Sequence, residues 1–174
     1  VQPIAIDQSS GYHDAMAIGL MPVPRANQQA VALTRTSSIM VPETADLDIT
    51  PALSIELWVS PAVLQDPTSF PIQNHGQYEI SFDKDGLVTC SMGSKSATHQ
   101  QPLALGVFTH VGCTYDGTTL KAYVGGDVVR CVAASGPIPT ANTAGTAIRR
   151  RVLGALGDLH VYATAMGATG MCTR

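Results

Sequence analysis

The chain has 174 residues, 45% of them hydrophobic and only 13% charged, with a formal net charge of -3 at pH 7. That balance excludes a disordered chain and a non-specific nucleic-acid binder, and no apolar run reaches the ~18 residues of a membrane-spanning helix. One domain covering residues 1–174 is expected, large enough to bury about two-thirds of its unfolded surface. The start at Val1-Gln2-Pro3 lacks the charged beginning and apolar stretch of a signal peptide, and we expect a module of a larger protein.

Taken from the N-terminus, Asp7 to Asp14 is a polar run containing Ser9, Ser10 and Gly11, and Ala45 to Pro51 is a connecting turn with Asp46 and Asp48. Leu53 to Pro61 follows as a strand in which Ile55, Leu57 and Val59 alternate with Glu56, Trp58 and Ser60. Gln65 to His75, broken by Pro67 and Pro71, reads as a loop. Tyr78–Asp83 and Leu87–Met92 form a hairpin about Asp83-Lys84-Asp85-Gly86. The polar stretch Gly93–Gln101 is expected to cross between sheets. Gly106 to Ala134 then gives three antiparallel strands joined at Asp116-Gly117 and Gly125-Gly126, where glycine accepts the positive φ of a tight turn. No long segment keeps the i, i+3, i+4 stripe of a helix, so the pattern points to an all-β, two-sheet sandwich.

Phe108-Thr109-His110-Val111, then Thr114-Tyr115-Asp116-Gly117, then Leu120 to Gly126 resembles the central signature of the laminin-G-like domains. These belong to the concanavalin A-like lectin and glucanase superfamily, whose usual pattern is Trp-x-His-Val, Thr-Tyr-Asp-Gly and Tyr-Val-Asn-Gly. Phe108 stands where tryptophan is common and Gly125 where asparagine is; both keep the physical requirement. Ala30 to Pro42 resembles the family's opening strands and Leu53–Pro61 its Phe-x-Trp-Val-x-Pro strand. Val152–Tyr162 resembles the closing strand, and Ala163–Met171 the short helical turn after it. The resemblance implies an antiparallel jelly roll over nearly the whole chain. It also implies calcium held by Asp7 and Asp14, because their run is similar to the Asp-x-Ser-Gly-x-x-Asn/Asp loop of bacterial members. The alternative is a turn whose side chains bond their own backbone. In the closing strand Gly157 replaces the usual Asp, with Asp158 beside it, which counts against the ion.

The glucanase branch carries a Glu-x-Asp-x-x-Glu pattern, since retaining hydrolysis needs two carboxyl groups about 5 Å apart. Here Glu56 stands alone and Asp83 and Asp85 flank a turn, so no enzyme activity is expected, and a degenerate glycosidase-like domain is the weakest alternative. None of His13, His75, His99, His110 and His160 lies near a nucleophile motif, and His110 reads as a satisfied, half-buried histidine. What remains is binding, of a glycan or of an extracellular protein, by a secreted or cell-surface module. Asn74, His75, Lys95 and His99 are the expected ligand face, from two loops flanking one hairpin. Trp58 reads as a packing residue, with a sugar platform as the alternative. Glycan binding would expose Trp58, Tyr78 or Tyr123 beside Asn, Asp or His. Among the cysteines, alternation puts Cys90 and Cys113 on like-facing sites of nearby strands and leaves Cys131 and Cys172 for each other. Buried free thiols are the alternative.

Overall fold

The computed structural model describes residues 4–5, 7–9, 11–26, 28–64, 69–140, 145–150 and 152–167, which form a sandwich of two antiparallel sheets. The chain starts in one sheet with β1 (Ile4–Ala5) and β2 (Ala15–Ile18), then crosses to the other for β3 (Met21–Arg25) and β4 (Gln28–Leu33). It returns for β5 (Ser38–Val41), makes a 3₁₀ turn at Ala45–Leu47, and crosses again for β6 (Leu53–Pro61). In the first sheet β7 (Ser69–Asn74), β8 (Tyr78–Phe82), β9 (Leu87–Met92) and β10 (Lys95–Pro102) follow as successive neighbours. In the second, β11 (Thr109–Tyr115), β12 (Thr119–Val124) and β13 (Asp127–Ala133) do the same. β14 (Thr146–Arg150) inserts between β5 and β7, and β15 (Gly154–Tyr162) between β6 and β4. The result is an eight-stranded and a seven-stranded sheet in jelly-roll connection, with β6 central in the second, between β11 and β15.

Period-two alternation builds the core. Leu53, Ile55, Leu57 and Val59 of β6 are fully buried and pair in register with Tyr115, Cys113, Val111 and Thr109 of β11. Ile72, Ile80, Phe82, Val88 and Met92 meet them from the other sheet. Each such side chain contributes about 1.5–3 kcal/mol when fully buried. Cys90 of β9 and Cys113 of β11 form a disulfide that joins the two sheets, with Cα atoms 5.7 Å apart, which decides that pair against free thiols. Cys131 is an exposed free cysteine on β13, and Cys172 lies outside the described residues. At the first meander turn Asp116 Oδ1 accepts from Thr118 N at 2.9 Å, Thr118 Oγ1 at 2.7 Å and Thr119 N at 2.7 Å. At the second, Gly125 and Gly126 take φ of 65° and 94°.

Three expectations are corrected. The end of the presumed loop Gln65–His75 is strand β7, and Pro71 is tolerated there because the β7–β8 ladder is irregular between Ser69 and Ile72, where a residue that cannot donate does least harm. Gly93–Gln101 does not cross between sheets. Most of it is β10, which pairs with β9 through Ala97↔Cys90 and Thr98↔Thr89. Its polar character is that of an edge strand with one face in solvent, Ser96, Thr98 and Gln100 being exposed while Ala97 and His99 are buried. The described part of Ala163–Met171, up to Gly167, is not helical. It is tied to β6 instead: Ser54 Oγ donates to Thr164 O and accepts from Met166 N, both at 2.7 Å. Among the described residues no helix is long and apolar enough to cross a membrane.

Candidate functional site

The alternation that gives β6 its core face leaves Ser54, Glu56 and Trp58 on the outer face of the seven-stranded sheet. Register then fixes their neighbours. Trp58 lies between His110 and Gly157, Glu56 between Gly112 and His160, and Ser54 between Thr114 and Tyr162. Glycine on one side of each large side chain leaves room for what covers it.

Glu56 is only 1% exposed, an unusual place for a carboxylate. Tyr162 donates its hydroxyl to Oε1 at 3.0 Å, and His160 Nδ1 lies 3.7 Å from the same oxygen. His110 Nε2 is at ion-pair distance, 3.2 Å, from Oε2, which makes no hydrogen bond. Burial pushes the His110 pKa below its ordinary value, and the neighbouring Glu56 only partly opposes this. Trp58 is flanked by the His110 ring at 5.2 Å and by the Arg25 guanidinium at 4.5 Å. Arg25 reaches it from β3 across Gly157, where an added Cβ would meet Arg25 Nε at 3.4 Å and Ala30 Cβ at 3.2 Å. The same guanidinium donates to Asp158 and Gln28. Asp158 is aimed at it from a bulge in β15, with φ of 45°. His160 and Tyr162 stack with ring centroids 5.9 Å apart, both partly exposed. The face therefore offers three partly exposed rings above a buried, hydrogen-bonded carboxylate.

The expected ligand residues do not form one face. Asn74 is fully buried at the end of β7, and His75 is exposed in the turn after it. Gly93 N donates to Gln77 O at 2.6 Å, so this turn and the one before Lys95 share a rim. Lys95 donates to Pro137 O at 3.2 Å and its ammonium lies 5.4 Å from the Tyr115 ring centroid. His99 is buried further along β10 and lines a separate groove with Thr98 and Arg130. Of the three aromatics that glycan binding could expose, Tyr78 and Tyr123 are buried and Trp58 is partly exposed beside His110. Glu56 and its partners were missed because the contacts are long-range: Tyr162 is 106 residues from Glu56. The available signal was the polar-aromatic face Ser54-Glu56-Trp58 on a strand whose other face is apolar.

Asp7 and Asp14 lie together in the N-terminal loop, and both Asp7 oxygens and Asp14 Oδ1 accept from the loop itself. Asp7 Oδ1 accepts from Ser9 N at 2.8 Å; Oδ2 accepts from Ser9 Oγ at 2.6 Å and His13 N at 2.8 Å. Asp14 Oδ1 accepts from Asp7 N at 2.9 Å. The Ser9 hydroxyl is the foremost reason that the Asp7 pKa is pulled down to about 2. Calcium takes six to eight oxygen ligands. Here both Asp7 oxygens and Asp14 Oδ1 are engaged by N–H and O–H donors of the loop, with the His13 ring beside them. Among the described residues no group of three or more His, Cys, Asp or Glu is placed to hold a metal ion.

The family model for the concanavalin A-like lectin/glucanases superfamily matches residues 33–170, and the chain belongs to that superfamily. No curated protein matches it in sequence. Domain 4 of AbnA, an extracellular GH43 arabinanase from Geobacillus stearothermophilus solved with arabinotriose, is similar in structure with a TM-score of 0.69 and 19% identity, over 88% of this chain and 80% of that one. A botulinum neurotoxin type C structure, described through cell entry that depends on two ganglioside molecules, gives 0.69 and 8%, over 98% of this chain and 50% of that one. A Trypanosoma rangeli sialidase mutant with trans-sialidase activity gives 0.67 and 15%, over 92% of this chain and 29% of that one. At these identities the likeness is one of fold.

Proposed function

We propose that this superfamily member is a non-catalytic carbohydrate-binding module whose ligand lies across the outer face of the seven-stranded sheet, over Trp58, His160 and Tyr162. The observation that carries this is the row of partly exposed rings above Glu56. Sugars present C–H faces that suit aromatic rings and hydroxyls that suit fixed polar groups, and binding sites combine the two. The arabinanase domain solved with arabinotriose and the ganglioside-dependent toxin support the same class of ligand. Against catalysis stands the state of the second carboxylate on this face: Asp158 is engaged by Arg25, where a retaining mechanism needs two free carboxyl groups together. The Cys90–Cys113 disulfide supports a secreted or surface setting.

Arabinotriose titration and a glycan array test this, with Trp58→Ala beside the wild type. Trp58→Ala is expected to weaken binding about tenfold, equivalent to ~1.4 kcal/mol, with an unchanged circular-dichroism spectrum. A blank array together with no arabinotriose binding would overturn the proposal. A protein-interaction module is the second reading, favoured by the exposed side chains of Tyr12, Met16, Ile18 and Met21 near the start of the chain.

A further inference from the structure

A second site lies at the open side of the sandwich, independent of the face around Trp58. There the edge strand β10 of one sheet packs across from the edge strand β13 of the other, and between them runs a groove of 380 Å³. Arg130 and Val132 of β13 pair with Ala122 and Leu120, both core residues, so Arg130 stands on the core-facing side of its strand. From β10 comes His99, on the same face as buried Ala97, with Thr98 and Gln100 at the rim. Leu87 and Val132 supply apolar wall.

Three features of this lining single it out. It holds a guanidinium and no acidic side chain. Arg130 makes no ion pair among the described residues, in a chain whose net charge is -3. His99 is 9% exposed, and its Nδ1 is buried without a hydrogen-bond partner. Buried polar atoms normally have partners, and this unsatisfied nitrogen belongs to a residue of the groove's own lining.

We infer that the groove binds the carboxylate of an acidic sugar. Arg130 presents the planar fork that pairs with a carboxylate through two parallel hydrogen bonds. His99, Thr98 and Gln100 meet the hydroxyls of the same residue, and Leu87 and Val132 the C–H face of its ring. The carboxylate selects acidic saccharides over neutral ones, and the hydroxyl and amide side chains select a sugar over an acidic peptide.

Calorimetric titration of the whole chain at low salt tests this with an oligogalacturonide, its methyl ester and sialyllactose. At least one of the two free acids binds, and which one does so separates a uronic from a sialic acid source. The methyl ester, which keeps the sugar and removes the charge, binds at least about tenfold more weakly than the oligogalacturonide if that is the ligand. Arg130→Gln weakens the acid about tenfold or more, and Arg130→Lys, which keeps the charge and loses the fork, weakens it less. Arg130 is exposed, so both variants should melt with the wild type. Trp58→Ala leaves this binding unchanged, so the two sites fail or stand separately. Silence from both acids, an ester that binds as well as the acid, or an Arg130→Gln variant with wild-type affinity overturns the inference.

Discussion

Asp7 and Glu56 are both carboxylates with imidazole neighbours, set in opposite surroundings. Asp7 sits in a loop, and the donors to its side chain come from Ser9 and His13, two and six residues away. Glu56 sits in the middle strand of a sheet, and its neighbours come from β11 and β15. In the loop, hydrogen bonds to the ionised form dominate and hold Asp7 near 2. In the sheet, burial dominates and pushes His110 down even with a carboxylate beside it. A local carboxylate shapes one turn, whereas a buried one binds three strands to each other and is costly to leave without partners.

The largest expected effect follows from that difference. Glu56→Ala removes the acceptor of Tyr162 and the buried carboxylate that lies against His110 and His160, and should cost about 4 kcal/mol, read as a fall in Tm of roughly 8–16 °C. Asp7→Ala should cost about 1 kcal/mol in the same melt. Glu56→Gln keeps the shape and an acceptor for Tyr162, so its loss should fall between the two. Equal losses for Glu56→Ala and Asp7→Ala would erase the distinction. Next in size is the double change Cys90→Ala with Cys113→Ala, expected to cost about 3 kcal/mol for a loop of this length. Cys113 lies in β11 with His110, so losing the clasp should also move the His110 titration, followed by NMR, towards its ordinary value. The Asp7 titration should stay where it is.

Acid separates the two sites on one stability curve. An unfolded histidine titrates near ~6.5, and native His110 does so below that. As pH falls through this window the unfolded chain takes up the proton first, so stability decreases until the native pKa is passed. Asp7 works lower. Its contribution is complete above the ordinary 3.8 and disappears as pH falls from there towards about 2. Urea midpoints measured from pH 7 to pH 2 should therefore show a step that vanishes in His110→Asn and a later one that vanishes in Asp7→Asn. A curve flat between pH 7 and pH 5 would remove the claim that His110 is held neutral by burial.

Much of the fold was legible because the signals were local. Asp116-Gly117 and Gly125-Gly126 turn where alternation stops on either side, and Ile55, Leu57 and Val59 declare a buried face within one strand. The polar edge strand β10 was illegible for the converse reason: half its side chains face water, and nothing in Ser96-Ala97-Thr98-His99-Gln100 separates an edge from a loop. The outer-face site hid in a different way. Glu56, His110, His160 and Tyr162 each carry an ordinary strand context, and only the registers β6–β11 and β6–β15 bring them together. Asp7 and Asp14, seven residues apart, do meet in one loop, where Asp7 N donates to Asp14 Oδ1. What sequence could not say was that both Asp7 oxygens and Asp14 Oδ1 would be occupied by Ser9, His13 and the Asp7 backbone.

The smallest effect belongs to the exposed end of the loop. Asp46 Oδ2 lies 2.7 Å from His13 Nε2, linking the 3₁₀ turn to the Asp7 loop, and its side chain is 60% exposed. Exposed pairs of this kind are screened by water and hold two side chains in place for little gain. Asp46→Asn should therefore leave the melt within measurement error at pH 7. Excess calcium should leave it there too, because a ligand that binds only the folded chain must raise its stability by mass action, and here both Asp7 oxygens are already taken up by Ser9 and His13. A calcium-dependent rise in Tm that disappears in Asp7→Asn would reverse the comparison. The loop would then have to open its hydrogen bonds around the ion, and the carboxylate that looks purely local would be the one that binds.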